Sequence, residues 1–401
     1  MKYTKYIAVL LVAAVIAGIF FAAEELNPPM VAGNQRPALV FIEGPADKAN
    51  LYVAHFDGKT VHREKIASAK YLQVTQLDNA IFLVTAKRSS TKGSVYAIDL
   101  GRGIAKLLAE STRIHCLRAE PQRKTAMLMD SNMWEGVIRL LELNLKNLTV
   151  TSRHTVRTES LPGLTGTLDL SLRLSPDFKR IVYSFRAGRK VPEFSSGFKL
   201  RIIDLSTMKA EDLVSNVGVK ISPHSSIGLG IPPFEWINNE EIIFKDMQSD
   251  ERDETTNAIS IFKRVNIRTK EISECLWKRL PLTLDGGLLI TNPLNGRLIY
   301  NEYYLDLEKK RLIPKDLPFS VMPSLYAKPT KILHGKDVLY SGKASCADSC
   351  ISASGKNFVY LLSQPKVPPG GFLYAKFEHE DKPVKVGEGT HWPTRPIGWI
   401  E

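Results

Sequence analysis

Two charged runs in this chain have the residue types and spacing to do chemistry. Arg186, Arg189 and Lys190 lie within RAGRK; guanidinium groups this close can clamp a carboxylate or phosphate through paired hydrogen bonds, and the ammonium adds a point charge. Asp246, Asp250, Glu251, Asp253 and Glu254 lie within DMQSDERDE, carboxylates able to hold a cation or a basic partner. That run lacks the glycine and ligand spacing of an EF-hand loop, which lowers calcium among its readings. Trp134 in DSNMWEG and Phe194 in PEFSSG are aromatics in polar segments. Each reads either as an anchor for a partner, where aromatics concentrate binding energy, or as packing against a neighbouring element. The bland reading of both charged runs is a solvated surface.

Catalytic and metal signatures are missing from the sequence. No G-x-S-x-G elbow occurs, and the S-x-x-K matches at Ser89, Ser196 and Ser206 lack the partner motifs of the enzymes that use them. The histidines at 55, 62, 115, 154, 224, 334, 379 and 391 stand singly, without H-x-H, H-E-x-x-H or Cys-His ligand spacing. His115, in an expected inner strand, and His224, in a connecting loop, are the two to watch, because a ring-shaped fold can gather distant ligands. No catalytic residue, metal or cofactor is assigned. Cys346 and Cys350, in CADSC, are expected to form a small structural disulfide, with Cys116 and Cys275 as buried thiols.

The elements that must position these residues follow one repeated phrase: a short apolar strand, a tight turn of Asp, Asn, Gly or Lys, then a second strand. It recurs from Asn50, Ser94, Val137, Phe198, Ile259, Tyr303 and Phe372. Most copies follow a further strand pair, as in LQVTQLDNAIFLVT from Leu72 and SLRLSPDFKRIVYSF from Ser171. Four-stranded antiparallel units repeated along a chain are the blades of a β-propeller. Near the N-terminus only three strands precede the next unit, at Ala38, Leu51 and Val61, and one unpaired strand, RPIGWIE, ends the sequence. Three plus one makes a blade, so the C-terminal strand is expected to complete the first unit and close the ring. Seven blades are expected, with six or eight open, because KILHGKDVLYSG supplies an extra strand pair.

Lys2 and Lys5 precede an apolar run from Tyr6 to Ala23, close to the ~20 residues that span a bilayer. Residues 1–23 read as a cleaved signal peptide or a retained membrane anchor, 24–37 as a linker and 38–401 as one propeller domain. Either leader exports the body to a periplasmic or extracellular location. The net charge of +12 permits attraction to anionic envelope polymers, and nucleic acid is not expected there.

The phrase LSPDFKRIVYSF resembles the repeat of TolB-like and dipeptidyl-peptidase-like propellers, in which Ser-Pro-Asp-Gly-Lys precedes an apolar strand. Ser175, Pro176, Asp177, Lys179, Ile181 and Tyr183 match, and Phe178 stands where glycine is usual. Ser354, Gly355 and Lys356 form a degenerate copy, and Trp236 to Glu240 fits a further pattern of such repeats. The resemblance implies the fold and not an activity, since the hydrolase domain of the peptidases has no counterpart here. Connections at one blade end are tight, whereas those at the other are long and mixed, so binding is expected on the long-loop face. The expected function is an exported, non-catalytic propeller that binds a protein or an anionic envelope polymer. Arg186, Arg189, Lys190, Phe194, Trp134, His224, Asp250 and Asp253 are its candidate contacts. The alternative is a polysaccharide-acting enzyme resembling propeller oligogalacturonate lyases.

Overall fold

The structure is a computed structural model that describes the strands and most of the tight turns joining them. Residues 1–25 and 27, the connections 133–135, 158–171, 187–197, 218–233, 249–258, 280–288, 292–297, 315–318, 323–329, 365–369 and 391–393, and some single or paired positions fall outside the described residues. The expected leader 1–23 is among them. Among the described residues no helix is long and apolar enough to cross a membrane.

The chain divides into two compact units, one of residues 1–112 and 318–401, the other of 113–317. In the first unit, β1 (Ala38–Glu43), β2 (Ala49–Phe56) and β3 (Val61–Ala69) form a meander, and β4 (Tyr71–Asp78), β5 (Ile81–Lys87), β6 (Gly93–Asp99) and β7 (Ile104–Ala109) form the next. The second unit follows with β8 (Ile114–Glu120), β9 (Thr125–Asn132), β10 (Val137–Asn144) and β11 (Thr149–Arg157); β12 (Leu172–Leu174), β13 (Arg180–Arg186), β14 (Phe198–Asp204) and β15 (Ala210–Val217); β16 (Phe234–Trp236), β17 (Glu241–Gln248), β18 (Ile259–Asn266) and β19 (Ile272–Arg279); and β20 (Leu289–Thr291), β21 (Leu298–Tyr300), β22 (Tyr303–Asp306) and β23 (Arg311–Pro314). The chain re-enters the first unit with β24 (Phe319–Met322), β25 (Thr330–His334) and β26 (Asp337–Gly342), then β27 (Ser345–Ile351), β28 (Phe358–Gln364), β29 (Gly370–Lys376) and β30 (Val384–Thr390), and finally β31 (Arg395–Ile400).

The repeating unit is the four-stranded antiparallel meander of a propeller blade, and the fold class is all-β. The sheet of β24, β25 and β26 has three strands among the described residues and incorporates the extra strand pair noted in the sequence. The last strand, β31, pairs antiparallel with β1, Ala38 opposite Ile400 and Leu39 opposite Trp399, in the order β3-β2-β1-β31. This is the three-plus-one sheet expected from the strand inventory.

Burial explains why the central strands are so apolar. Ala38, Leu39, Val40, Phe41 and Ile42 are all fully buried, because a strand inside a stacked sheet has both faces covered. Val40 and Ile42 pack with Leu51, Val84 and Ile400, while Leu39 and Phe41 pack with Leu361, Leu373 and Trp399. In the second unit, Leu172 and Leu174 join Met127, Met129, Ile138 and Leu140 in one core layer. Phe234 and Trp236 join Leu200, Ile202 and Phe244 in the next. Each such side chain contributes about 1.5–3 kcal/mol on burial.

The turns that end β10, β14 and β18 share one device. Asn144, Asp204 and Asn266 accept hydrogen bonds from the backbone N–H of Lys146, of Ser206 and Thr207, and of Arg268 and Thr269. Four residues after each cap the backbone turns left-handed, at Leu148 (φ 54°), Met208 (φ 56°) and Lys270 (φ 60°). The turn after β6 repeats the pattern with Asp99 as cap and Gly103 at φ 65°. Asn and Asp cap such turns because their short side chains reach the backbone two residues on.

Cys346 and Cys350 both lie on β27, which corrects the expected bridge between them. Four residues of extended strand separate their Cα atoms by roughly 13 Å at a rise near 3.3 Å per residue, beyond the ~7 Å limit for a disulfide. Cys275 is buried, as expected, while Cys116 is intermediate in exposure. Burial pushes the Cys116 thiol up to about 12, which keeps it protonated and unreactive.

Candidate functional site

One end of the second unit is locked by its own side chains. In the turn between β12 and β13, Ser175 Oγ donates to Asp177 Oδ1 at 2.6 Å and accepts from the Arg180 N–H at 2.9 Å. Phe178 takes φ 61° there, the conformation for which glycine is the common choice. Asn239, from the turn between β16 and β17, accepts from the Asp177 N–H at 2.9 Å. Arg123, from the turn between β8 and β9, donates to the Pro176 carbonyl at 3.0 Å. Three successive sheets are thus tied turn to turn.

Deeper in the same unit, a charged cluster ties their first strands. Glu235 on β16 is 6% exposed. Its carboxylate lies 3.6 Å from Arg118 on β8 and 3.4 Å from Arg173 on β12. It also accepts the Trp236 backbone N–H at 2.7 Å. Arg118 donates to Glu120 at 2.6 Å, and the Trp236 indole donates to the Arg173 carbonyl at 3.3 Å. Two guanidinium groups and two carboxylates balance, so the cluster is a staple between strands that fixes the sheets' relative positions within this unit.

In an antiparallel meander the first and third turns lie at one end, and the second turn and the exit connection at the other. The locked end carries short connections, 121–124, 175–179, 205–209, 237–240 and 267–271. The opposite end carries the four-residue 133–136 and the longer 158–171, 187–197, 218–233, 249–258 and 280–288, whereas in the sheet of β20 to β23 the order reverses, with 292–297 against 301–302. Rigid sheets thus deliver long connections to one end, where binding residues accumulate.

Charged side chains on the described strands of these sheets pair with one another. Arg201 on β14 donates to Asp212 on β15 at 2.6 Å, and Lys199 donates to the same carboxylate at 3.2 Å. Partial burial of Asp212 works against its ionisation, but the hydrogen bonds from Arg201 and Lys199 outweigh it and hold the carboxyl below its ordinary range. Arg201 also lies over the Phe185 ring, 4.7 Å from its centroid. Two cations share one carboxylate: Lys199 is the second residue of β14, Arg201 is mid-strand, and Asp212 lies two residues from the short turn that precedes β15. On the neighbouring sheet Asp246 pairs with Lys263 at 2.7 Å, and near the end of β9 Asp130 pairs with Arg139 at 3.4 Å.

Of the residues expected from the sequence, Arg186 is the last residue of β13, and its side chain lies outside the described residues. Arg189, Lys190, Phe194, Trp134, His224, Asp250 and Asp253 also lie outside them, as do Glu251 and Glu254. Asp246 is described; it lies two residues before the end of β17 and pairs with Lys263 in the middle of β18. His115 sits on β8, partly buried. Sequence reading missed Lys199 and Arg139 near this end, Arg201 in the middle of β14, and Glu235. Among the described residues no group of three or more His, Cys, Asp and Glu side chains converges as a metal site.

No protein-family model and no curated protein matches this chain. Among solved structures it is similar to TolB from Acinetobacter baumannii, at 11% identity and TM-score 0.36, over 92% of this chain and 67% of that one. It is also similar to the acylaminoacyl peptidase of Pyrococcus horikoshii, at 10% identity and TM-score 0.40, over 79% of this chain and 52% of the peptidase. A third is the β-propeller domain of the trilobed protease from Pyrococcus furiosus, at 10% identity and TM-score 0.34, over 88% and 85% of the two chains. The chain thus spans about half the length of the P. horikoshii peptidase. The fold assignment rests on the strand pairing of this chain.

Proposed function

We propose that this protein is an exported, non-catalytic binding module that holds a protein partner at the long-connection end of its second unit. One observation carries the reading. A basic connection containing Arg189 and Lys190, which leads into β14 with Lys199 near its start, and an acidic connection containing Asp250 to Glu254, which follows β17 with Asp246 near its end, leave neighbouring sheets at the same end. Side-by-side charges of opposite sign complement another protein's mixed surface and set its register. A uniformly anionic envelope polymer would be repelled by the acidic half, which favours a protein among the two expected partners. Trp134 and Phe194 are the aromatic anchors in this reading, and His224 lies in a neighbouring connection of the same end.

Export follows in this proposal from Lys2, Lys5 and the apolar run from Tyr6 to Ala23, with 38–401 as the folded body. Charge reversal tests the site. Arg189→Glu with Lys190→Glu, and separately Asp250→Lys with Asp253→Lys, should each weaken partner retention at unchanged melting temperature. Retention unaffected by both reversals would remove the proposal.

A further inference from the structure

The hairpin of β2 and β3 in the first unit holds a second arrangement with chemistry of its own, and it lies outside the proposed partner-binding end. His55 and His62 are direct cross-strand partners. Their rings lie 5.0 Å apart between centroids with planes 16° from parallel. Asp57 sits in the turn between them, and its carboxylate is fixed at both oxygens. Oδ1 accepts the backbone N–H groups of Lys59 and Thr60 at 2.9 and 2.8 Å, and Oδ2 lies 2.7 Å from His62 Nε2.

An ionised carboxylate can only accept a hydrogen bond, so in the neutral imidazole of His62 the contact with Asp57 selects the Nε2–H tautomer and leaves Nδ1 as the nitrogen available to a metal. Asp57 is ionised at neutral pH, since the His62 hydrogen bond and the two backbone donors hold its carboxyl well below the usual range. A histidine whose N–H is held by a carboxylate while its other nitrogen is basic and oriented is the standard arrangement of a metal-ligating imidazole and its supporting group. His62 and Asp57 are about half exposed, at 47% and 46%, so an ion can reach the pair from solvent, and the stacked rings must rotate out of parallel to direct a nitrogen each at one ion.

We propose that His55 and His62 form a two-nitrogen surface site for a late first-row divalent cation, with Asp57 as the group that orients His62. Imidazole ligands suit Zn²⁺, Ni²⁺ and most of all Cu²⁺. Two protein nitrogens leave the remaining coordination positions to water.

The test uses the full-length chain without an affinity tag, purified in detergent and stripped of metal. ZnCl₂ is titrated calorimetrically, and the nitrogen couplings of added Cu²⁺ are read by electron paramagnetic resonance. The expected result is one saturable site with two nitrogen ligands. Its affinity should drop at least about tenfold in His55→Ala and in His62→Ala, and by at least about tenfold in Asp57→Asn, within the range for loss of a supporting group. His62→Gln must behave like His62→Ala, which separates ligand loss from a folding defect, and His379→Ala must leave binding unchanged. No saturable uptake up to millimolar Zn²⁺, or wild-type affinity in His55→Ala, overturns the proposal.

Discussion

Removing the charge of Glu235 should loosen the second unit more than any surface substitution. The carboxylate is 6% exposed and sits 3.6 and 3.4 Å from two guanidinium groups. At an effective dielectric constant near 20, each contact is worth about 4–5 kcal/mol of gross Coulomb attraction, most of it offset by desolvation of the ions. The net worth of the intact cluster is therefore small, but losing its centre takes a carboxylate from Arg173, which is 11% exposed and retains its hydrogen bond to the Leu172 carbonyl. Breaking such a pair from one side costs about 3–5 kcal/mol. Arg118 keeps Glu120, so Glu235→Gln belongs at the low end, about 3 kcal/mol. Glu235→Leu also removes the acceptor of the Trp236 N–H and should cost about 1–3 kcal/mol more. Urea unfolding followed by the fluorescence of the chain's five tryptophans reads the change, with Trp236 contributing because its indole donates to the Arg173 carbonyl and packs in the adjoining core layer. With a slope of about 1–3 kcal/mol per molar urea, the Glu235→Gln midpoint should fall by at least ~1 M. Pairing Glu235→Leu with Arg173→Met should recover most of the loss, since both charges are then gone. A Glu235→Gln midpoint within about 0.3 M of wild type would show that water screens the cluster, and the reasoning would fail.

Two smaller perturbations follow from the turns and from the last strand. Met208 is left-handed and 36% exposed. Met208→Gly should therefore stabilise by roughly 0.5–1 kcal/mol, the relief of about 1–2 kcal/mol of backbone strain exceeding glycine's entropic cost. Phe178→Gly at φ 61° should gain nothing, because Phe178 packs against the core layer of Met127 and Leu172; thermal melts of the two variants decide this contrast. Glu401 is drawn below its ordinary value of 4.5: burial opposes this, but hydrogen bonds from Ser354, Ser352 and Asn357 outweigh it. A depressed carboxylate contributes stability above its unfolded pKa that is lost as pH falls through the folded one. Melting temperature should thus drop on acidification below about pH 4.5, and Glu401→Gln should flatten that drop; parallel acid profiles for the two chains would contradict it.

Much of the fold was legible because its signals are local. Ser175 and Asp177 announced their turn, and glycine's usual place in that phrase marked the position where Phe178 is left-handed. Counting strands paired β31 with β1, since an apolar strand left over at one end fits a unit one strand short at the other. The cysteines misled because CADSC is polar enough to read as a loop, yet Cys346 opposes Leu362 and Cys350 opposes Val359 in a sheet. Glu235 gave no signal at all. Within FEWINNEE it is one acid among several, and only the approach of β8 and β12 brings Arg118 and Arg173 to it. Lys199 and Arg201 were hidden likewise, because an alternating strand does not announce which charges share Asp212.

Capture of a partner is the most direct test of the proposed binding end. Residues 34–401 are immobilised beside the Arg186→Ala, Arg189→Ala, Asp250→Ala triple variant, both are exposed to envelope extract of the source organism, and retained material is identified and its affinity measured. The account predicts a protein retained by the unmodified chain and bound at least about tenfold more weakly by the variant, about 1.4 kcal/mol, at equal melting temperature. Equal retention by both chains, or retention of glycan alone, would contradict it.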